Sequence, residues 1–254
     1  MTVLAAAVLG LTVGSFLNVC VARLPDGRSI VRPPSACPGC GAGIAWRDNI
    51  PLVSFALLRG RCRSCGEPIA WRYPIIEAAT GALFAAAALR FGLDVELLIA
   101  LPLLAALVLV TAIDLEHQII PHVITVPGMA YGLIINGVLG QRSIIACILG
   151  VLLGHGIVAL IIQWSELLIG EPGMGYGDGG LLALLGACLG WRAMVAALFI
   201  AILIGGLVAV ILIVTGRRGR REAIPFGPYI ATGGVAGLFW GEDLLGWYLS
   251  TVMQ

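Results

Sequence analysis

Charge is scarce in this chain. Asp, Glu, Lys and Arg make up only 11% of its 254 residues and 59% are apolar, whereas a soluble domain carries about 25% charged residues. With a mean hydropathy of +1.02, that shortage excludes a water-soluble globular protein and leaves a multi-pass membrane protein. Lysine is absent, so all 15 basic side chains are arginine, and the net charge of +1 is uninformative by itself. No basic residue precedes the first apolar run and Arg23 follows it. That polarity is wrong for a cleaved signal peptide and suits a retained first span. There is no HExxH motif, and His117, His122 and His155 lack zinc-enzyme spacing. They read as interfacial or core residues. No internal repeat or low-complexity tract stands out, and no nucleic-acid partner is expected.

What is abundant is glycine, at 35 residues, which suits helices that pack closely in lipid through small side chains. Runs near the ~20 residues needed to cross the hydrocarbon core fall at 3–22, 74–90, 96–114, 119–139, 143–163, 178–190, 193–215 and 224–241. The fold expected is all-α, with about eight transmembrane helices. The second and sixth runs are short and need neighbours to shield their ends. Residues 1–22 form the first span, 23–73 a small loop domain, and 74–254 the remaining membrane domain. Within the loop, the apolar run Ile50 to Leu58 is too short to span and belongs at the membrane surface.

Arginine asymmetry sets the orientation. With the N-terminus outside, the inner side receives Arg23, Arg28, Arg32, Arg47, Arg59, Arg61, Arg63, Arg72 and the cluster Arg217, Arg218, Arg220 and Arg221. The outer side receives Arg90, Arg142 and Arg192, a split of 12 against 3. Omitting the sixth span gives 9 against 6, so eight spans are preferred. The Arg217–Arg221 cluster reads as a topology anchor that touches anionic lipid.

Seven cysteines divide into two CxxC pairs and three singles. Cys20, Cys147 and Cys188 sit inside apolar runs and read as small core residues. Cys37-Pro-Gly-Cys40 and Cys62-Arg-Ser-Cys65, 21 residues apart, have the pattern of two knuckles forming a four-sulfur structural zinc site. Four thiolates leave no open position for water, so such a zinc shapes the loop and performs no chemistry. A thiol–disulfide exchanger is the competing reading of CPGC. It leaves the second pair idle and fits poorly with a reducing cytoplasm.

Two acidic residues stand at ends of apolar runs. Asp114 follows the third span and Asp178 the fifth, which places both at the cytoplasmic boundary. Two carboxylates held together share one proton and can hydrolyse a peptide bond. The bland alternative is that each merely ends a helix, Asp178 as an N-cap. Glu116 and Glu171 lie at the same boundary and compete on topology alone. Asp178 is favoured by Gly173, Gly175 and Gly177, which remove side chains from the approach of an extended substrate; a flexible connector is the other reading of those glycines. Gly175, Gly177 and Gly180 also match GxGxxG, but no strand precedes them. His122 is near enough to Asp114 to modulate it, and Glu77 is placed to contact the loop or the site. A proton-coupled transporter using the same aspartates as relay groups is a second functional class.

Several motifs together resemble the type IV prepilin peptidases, the bifunctional leader peptidase/N-methyltransferases of bacterial inner membranes. They are Gly-Ser-Phe-Leu-Asn-Val (14–19), Arg-Leu-Pro (23–25), Cys-Pro-Gly-Cys (37–40), Trp-Arg-Asp-Asn-Ile-Pro (46–51) and Leu-Arg-Gly-Arg-Cys (58–62). Arg-Tyr-Pro-Ile-Ile-Glu (72–77), Ile-Asp (113–114), Gly-Met-Gly-Tyr-Gly-Asp (173–178) and Phe-Gly-Pro-Tyr (226–229) complete the set. Gly-Tyr-Gly-Asp also resembles the wider GxGD intramembrane aspartic proteases. The resemblance implies that Asp114 and Asp178 are the catalytic pair and that Cys37, Cys40, Cys62 and Cys65 bind zinc. It implies cleavage of the basic cytoplasmic leader of prepilins and pseudopilins after a glycine. It further implies methylation of the new N-terminal residue from S-adenosylmethionine, since the cysteine-bearing loop is present. Two positions depart from the family: Gly180 stands where a lysine is common, and His122 where an acidic or amide residue is common.

Overall fold

In lipid each backbone N–H must find its carbonyl within the segment, so long uncharged runs become helices. The computed structural model, which describes residues 1–216 and 224–252, is helical, with no strand among the described residues. Its helices are α1 (Thr2–Arg23), α2 (Val53–Leu57), α3 (Arg72–Phe91), α4 (Glu96–His117), α5 (His122–Leu139), α6 (Ile144–Ile169), α7 (Tyr176–Val214) and α8 (Gly227–Val252). Six of them, α1 and α3 to α7, are long and apolar enough to cross a membrane. The protein is therefore an all-α, multi-pass membrane protein. The Arg217–Arg221 cluster lies outside the described residues.

The chain divides into two compact units, Met1–Leu97 and Leu98–Gln254. In the first, α1 and α3 meet along a seam of small residues. A β-carbon on Gly10 would stand 2.7 Å from Thr80 O, and one on Gly14 2.8 Å from Glu77 Cα. The two glycines are four apart, so they share one face of α1, and their bareness lets the backbones touch. Asn18, one turn further on, donates to Tyr73 O at 3.1 Å. Glu77 settles between its two expected contacts in favour of the loop. It is buried, and its Oε2 accepts the Leu52 N–H at 2.8 Å, a charge-assisted bond contributing about 1.5–3 kcal/mol. It tethers the apolar run from Ile50 to Leu58, whose middle forms the short α2.

In the second unit the expected spans 178–190 and 193–215 form one 39-residue stretch, α7. A straight helix of that length would run about 58 Å, nearly twice the hydrocarbon core. It is not straight, because Gly190 takes φ 79°, ψ 167° and breaks it. The contacts with α8 show that the chain turns back there. A β-carbon on Gly234 would meet Leu185, before the break, while those on Gly237 and Gly241 would meet Ala193, after it. Further along, Gly205 lies against Phe226 and Tyr229 at the start of α8. The first half of α7 thus climbs alongside α8 and the second half descends it, so the two halves run in opposite directions. Breaking a helix frees carbonyls that lipid cannot satisfy. Asn136 of α5 donates to Ala187 O and Cys188 O at 3.1 and 3.2 Å, and Arg142 to Cys188 O at 3.3 Å. On the other side of α7, β-carbons on Gly150 and Gly154 of α6 would lie 2.7 Å from Gly186 Cα and Leu182 C. Again two glycines four apart make the seam.

Candidate active site and metal centre

Asp114 sits in the last turn of α4 and Asp178 in the first turn of α7. Both are buried, at 5% and 6% exposure, a rare state for a carboxylate that no cation among the described residues pairs. Each is held by one backbone N–H through Oδ2. Gly227, which opens α8, donates to Asp114 at 2.9 Å, and Gly175 donates to Asp178 at 3.0 Å. Asp178 is therefore not the N-cap of α7. Gly175 is, and Asp178 at the third helical position reaches back to it, the carboxylate half of a capping box. Neither Oδ1 makes a hydrogen bond among the described residues, which leaves one oxygen of each acid for other chemistry.

Glycines beside the two acids pack on Ile120, in the connection between α4 and α5. A β-carbon on Gly177 would stand 2.7 Å from Ile120 Cβ, and one on Gly227 3.2 Å from Ile120 Cδ1 and 2.7 Å from Asp114 Oδ2. Two buried carboxylates at helix ends that pack around one side chain suit proton exchange with a shared water. Glu116 and Glu171 are exposed, so burial separates the aspartates from the acids that compete with them on topology. Gly175 lies over Asp178 Oδ2, where a β-carbon would come to 3.1 Å, and Gly173 donates to Ser165 Oγ.

Residues flanking the first turn of α7 extend the site. Gly180 faces Thr125 Oγ1 and His122 Nδ1, which its β-carbon would meet at 3.2 and 3.8 Å. Gly179 faces His155 Nδ1 at 3.3 Å. Thr125 is fully buried and its hydroxyl has no partner among the described residues. Thr125, Ile120 and Gly227 were not singled out from the sequence. Only Gly227 carried a signal, within Phe-Gly-Pro-Tyr.

The four cysteines of the loop gather as their spacing suggests. The sulfurs of Cys37, Cys40, Cys62 and Cys65 all lie within 4.8 Å of one another, and those of Cys37 and Cys65 are 3.8 Å apart. Zinc–sulfur bonds of about 2.3 Å in a tetrahedron put sulfurs about 3.8 Å apart, so the donor set fits that metal. All seven cysteines are free thiols. The N–H groups of Cys65 and Ser64 pull the Cys62 thiol down to about 7. Cys65 accepts the Glu67 N–H, which lowers its pKa, yet desolvation and the sulfurs of Cys62, Cys40 and Cys37 push it up to about 12. Sulfurs this crowded become thiolates together only when a cation sits among them.

The knuckles also correct the expectation that the chain has no internal repeat. Cys-Gly-Ala-Gly-Ile-Ala-Trp-Arg (40–47) returns as Cys-Gly-Glu-Pro-Ile-Ala-Trp-Arg (65–72). Gly41 and Gly66 both take left-handed φ, 70° and 74°. Ile44 N–H donates to Ser35 O and Ile69 N–H to Gly60 O, the same bond in each copy. Arg63 joins the copies through a two-pronged bridge to Asp48, at 2.6 and 2.9 Å, which holds the Asp48 carboxyl below its ordinary range.

Comparison with known proteins agrees with this geometry. Residues 8–91 match the Bacterial Peptidase A24 N-terminal domain, and residues 101–210 match the Type IV leader peptidase family. Three similar proteins are each named prepilin leader peptidase/N-methyltransferase. That of Myxococcus xanthus is 45% identical over 84% of this chain and 64% of its own length. That of Burkholderia pseudomallei is 40% identical over 93% and 84%. That of Aeromonas hydrophila is 37% identical over 96% and 92%. The chain thus spans a little under two thirds of the Myxococcus protein. No solved structure matches it. Two buried carboxylates from separate helices, a four-cysteine loop and likeness along nearly the whole chain lead to one assignment: this chain belongs to the type IV leader peptidase family.

Proposed function

We propose that this chain is a membrane aspartic endopeptidase that removes the leader of type IV prepilins or pseudopilins and then N-methylates the new N-terminal residue. The observation that carries the reading is the burial of Asp114 and Asp178 at helix ends whose flanking Gly227 and Gly177 both pack on Ile120. In this reading the acids share one proton. The ionised one takes a proton from water as it attacks the scissile carbonyl. The protonated one hydrogen-bonds that carbonyl oxygen and supplies the proton the departing amine needs. The roles exchange during turnover, so the titration belongs to the pair. Gly175 and Gly177 present backbone without side chains beside Asp178, where the extended leader junction would lie. The substrate's apolar helix enters from the surrounding lipid.

By role the chain falls into three parts: the first span (1–22), a zinc-binding loop (23–73) and the protease domain (74–254). Cys37, Cys40, Cys62 and Cys65 would hold one structural zinc. Arginine asymmetry supports placing the loop and the aspartates at the cytoplasmic face of the bacterial inner membrane. S-adenosylmethionine, when bound, supplies a methyl group to the neutral α-amine, leaving S-adenosylhomocysteine and one released proton.

The test is incubation of the purified protein with a prepilin and S-adenosylmethionine, read by mass spectrometry for leader loss and methyl gain separately. Asp114→Asn and Asp178→Asn are expected to lose at least about 10³ of the cleavage rate, as removal of a triad member does in serine proteases, while remaining folded. Full cleavage by either variant would sink the proposal.

A further inference from the structure

The two cysteine knuckles are copies, so the first serves as an internal reference for what folding alone demands of the second. Both have the cysteine pair, the left-handed glycine and the Ile-Ala-Trp-Arg run. The second adds Arg59 and Arg61, where the first has Pro34 and Ala36. It also adds α2, whose Phe55 ring meets that of Trp71 with centroids 5.2 Å apart and planes at 56°. Between α2 and the second knuckle lies a cleft of about 550 Å³ lined by Phe55, Arg59, Arg61, Ile69 and Trp71, a size typical of small-molecule sites. The guanidinium groups of Arg59 and Arg61 make no hydrogen bond or ion pair among the described residues, whereas Arg63 is committed to Asp48. Arg59 also takes φ 51°, just past the end of α2, at the position glycine ordinarily fills. An arginine held there against its backbone preference is not explained by closing α2.

We infer that this cleft holds S-adenosylmethionine, an inference that rests on the methyltransferase half of the proposed function. Its carboxylate suits the paired guanidinium groups. Its sulfonium or purine suits the exposed ring of Trp71, which Phe55 supports, by cation–π attraction or stacking. Gly60 forms part of the wall, and its own β-carbon would come to 3.1 Å from the Phe55 ring. The first copy keeps the tryptophan, as Trp46, but has neither the arginines nor the covering ring.

The experiment is equilibrium binding of radiolabelled S-adenosylmethionine to the full chain in phosphatidylcholine nanodiscs, with zinc content measured on the same samples. Trp71→Ala and the double variant Arg59→Ala/Arg61→Ala are each expected to weaken binding about tenfold or more, with zinc retained. Trp46→Ala, the same change in the reference copy, is expected to leave binding and prepilin cleavage as they were. If Trp71→Ala loses its zinc, Ala56→Trp, which fills the cleft from α2, gives the same reading. Undiminished binding in the zinc-retaining cleft variants overturns the site while leaving the methyltransferase reading intact. Equal loss in Trp46→Ala, or displacement of S-adenosylmethionine by phosphatidylglycerol added to the nanodiscs, also overturns it. A wild-type protein that cleaves prepilin but binds no S-adenosylmethionine defeats the methyltransferase reading itself.

Discussion

A β-carbon on Gly227 would stand 2.7 Å from Asp114 Oδ2, so an alanine there cannot coexist with the carboxylate as it is now held. The Asp114 side chain must rotate or α8 must shift, and a misplacement of about 1 Å at a reacting group costs on the order of 10²-fold in rate. Gly227→Ala is therefore expected to lower prepilin cleavage about a hundredfold while the protein keeps its helical circular dichroism. Glu116→Gln, at an exposed acid of the same helix end, is expected to leave the rate unchanged. Steady-state cleavage assays on the two variants check both. The contrast also shows what a sequence reveals at this scale. Asp114 and Asp178 were legible because a carboxylate at the end of an apolar run demands an explanation. Gly227 holds Asp114 with a backbone N–H, which nearly every residue has; only its missing β-carbon shows in residue type, and one glycine among 35 stands out little. Thr125 was hidden for the opposite reason, since a threonine in an apolar run reads as filler until its buried hydroxyl is found without a partner.

Elements show the same division between what pattern carries and what three-dimensional contact decides. The break within 176–214 falls where arginine placement put the boundary between two expected spans, yet the turn itself depends on contacts that no local pattern announces. Asn136 and Arg142 reach the carbonyls freed at Gly190 from about fifty residues away in sequence. The knuckle repeat was visible in principle, but attention to the CxxC spacing passes over the five identities that follow. The loop it builds has almost no core. Between residues 23 and 73 only Cys37 and Ser54 are buried, so apolar burial cannot hold it, whereas a metal on the four cysteines would. Chelation, or Cys62→Ser, is accordingly expected to release one zinc per chain and to open the loop to protease, with cuts confined to residues 23–73. The apolar helices keep their circular dichroism because their hydrogen bonds are internal to each segment. Zinc affinity should also rise with pH, since binding displaces thiol protons. Limited proteolysis with and without chelator reads the outcome, and a loop equally resistant after zinc loss would show that something else staples it.

For the molecule as a whole, the arginine count proposes which side is inner, and within Leu98–Gln254 the helix directions say which helix ends share a side. Asp114 closes α4, Asp178 opens α7 and Gly227 opens α8, so those helix ends share one side. Arg142 contacts the carbonyl of Cys188, and Arg192 lies two residues past the Gly190 turn, at the opposite end of the same bundle. Two of the three arginines assigned outside by charge asymmetry thus lie away from the acids. The prediction is a labelling pattern in intact cells. A cysteine replacing the exposed Gln141, beside Arg142, should react with a membrane-impermeant maleimide before lysis. One replacing the exposed Glu171, just ahead of the glycine-rich turn, should react only after the membrane is opened. Neither position touches an aspartate, and Cys147 and Cys188 are buried, so the wild-type chain sets the background. The reverse pattern would place the paired acids on the outer face, where a leader still in the cytoplasm never reaches them. Reaction at both positions before lysis would mean that the stretch between them does not cross the bilayer as the paired helices require.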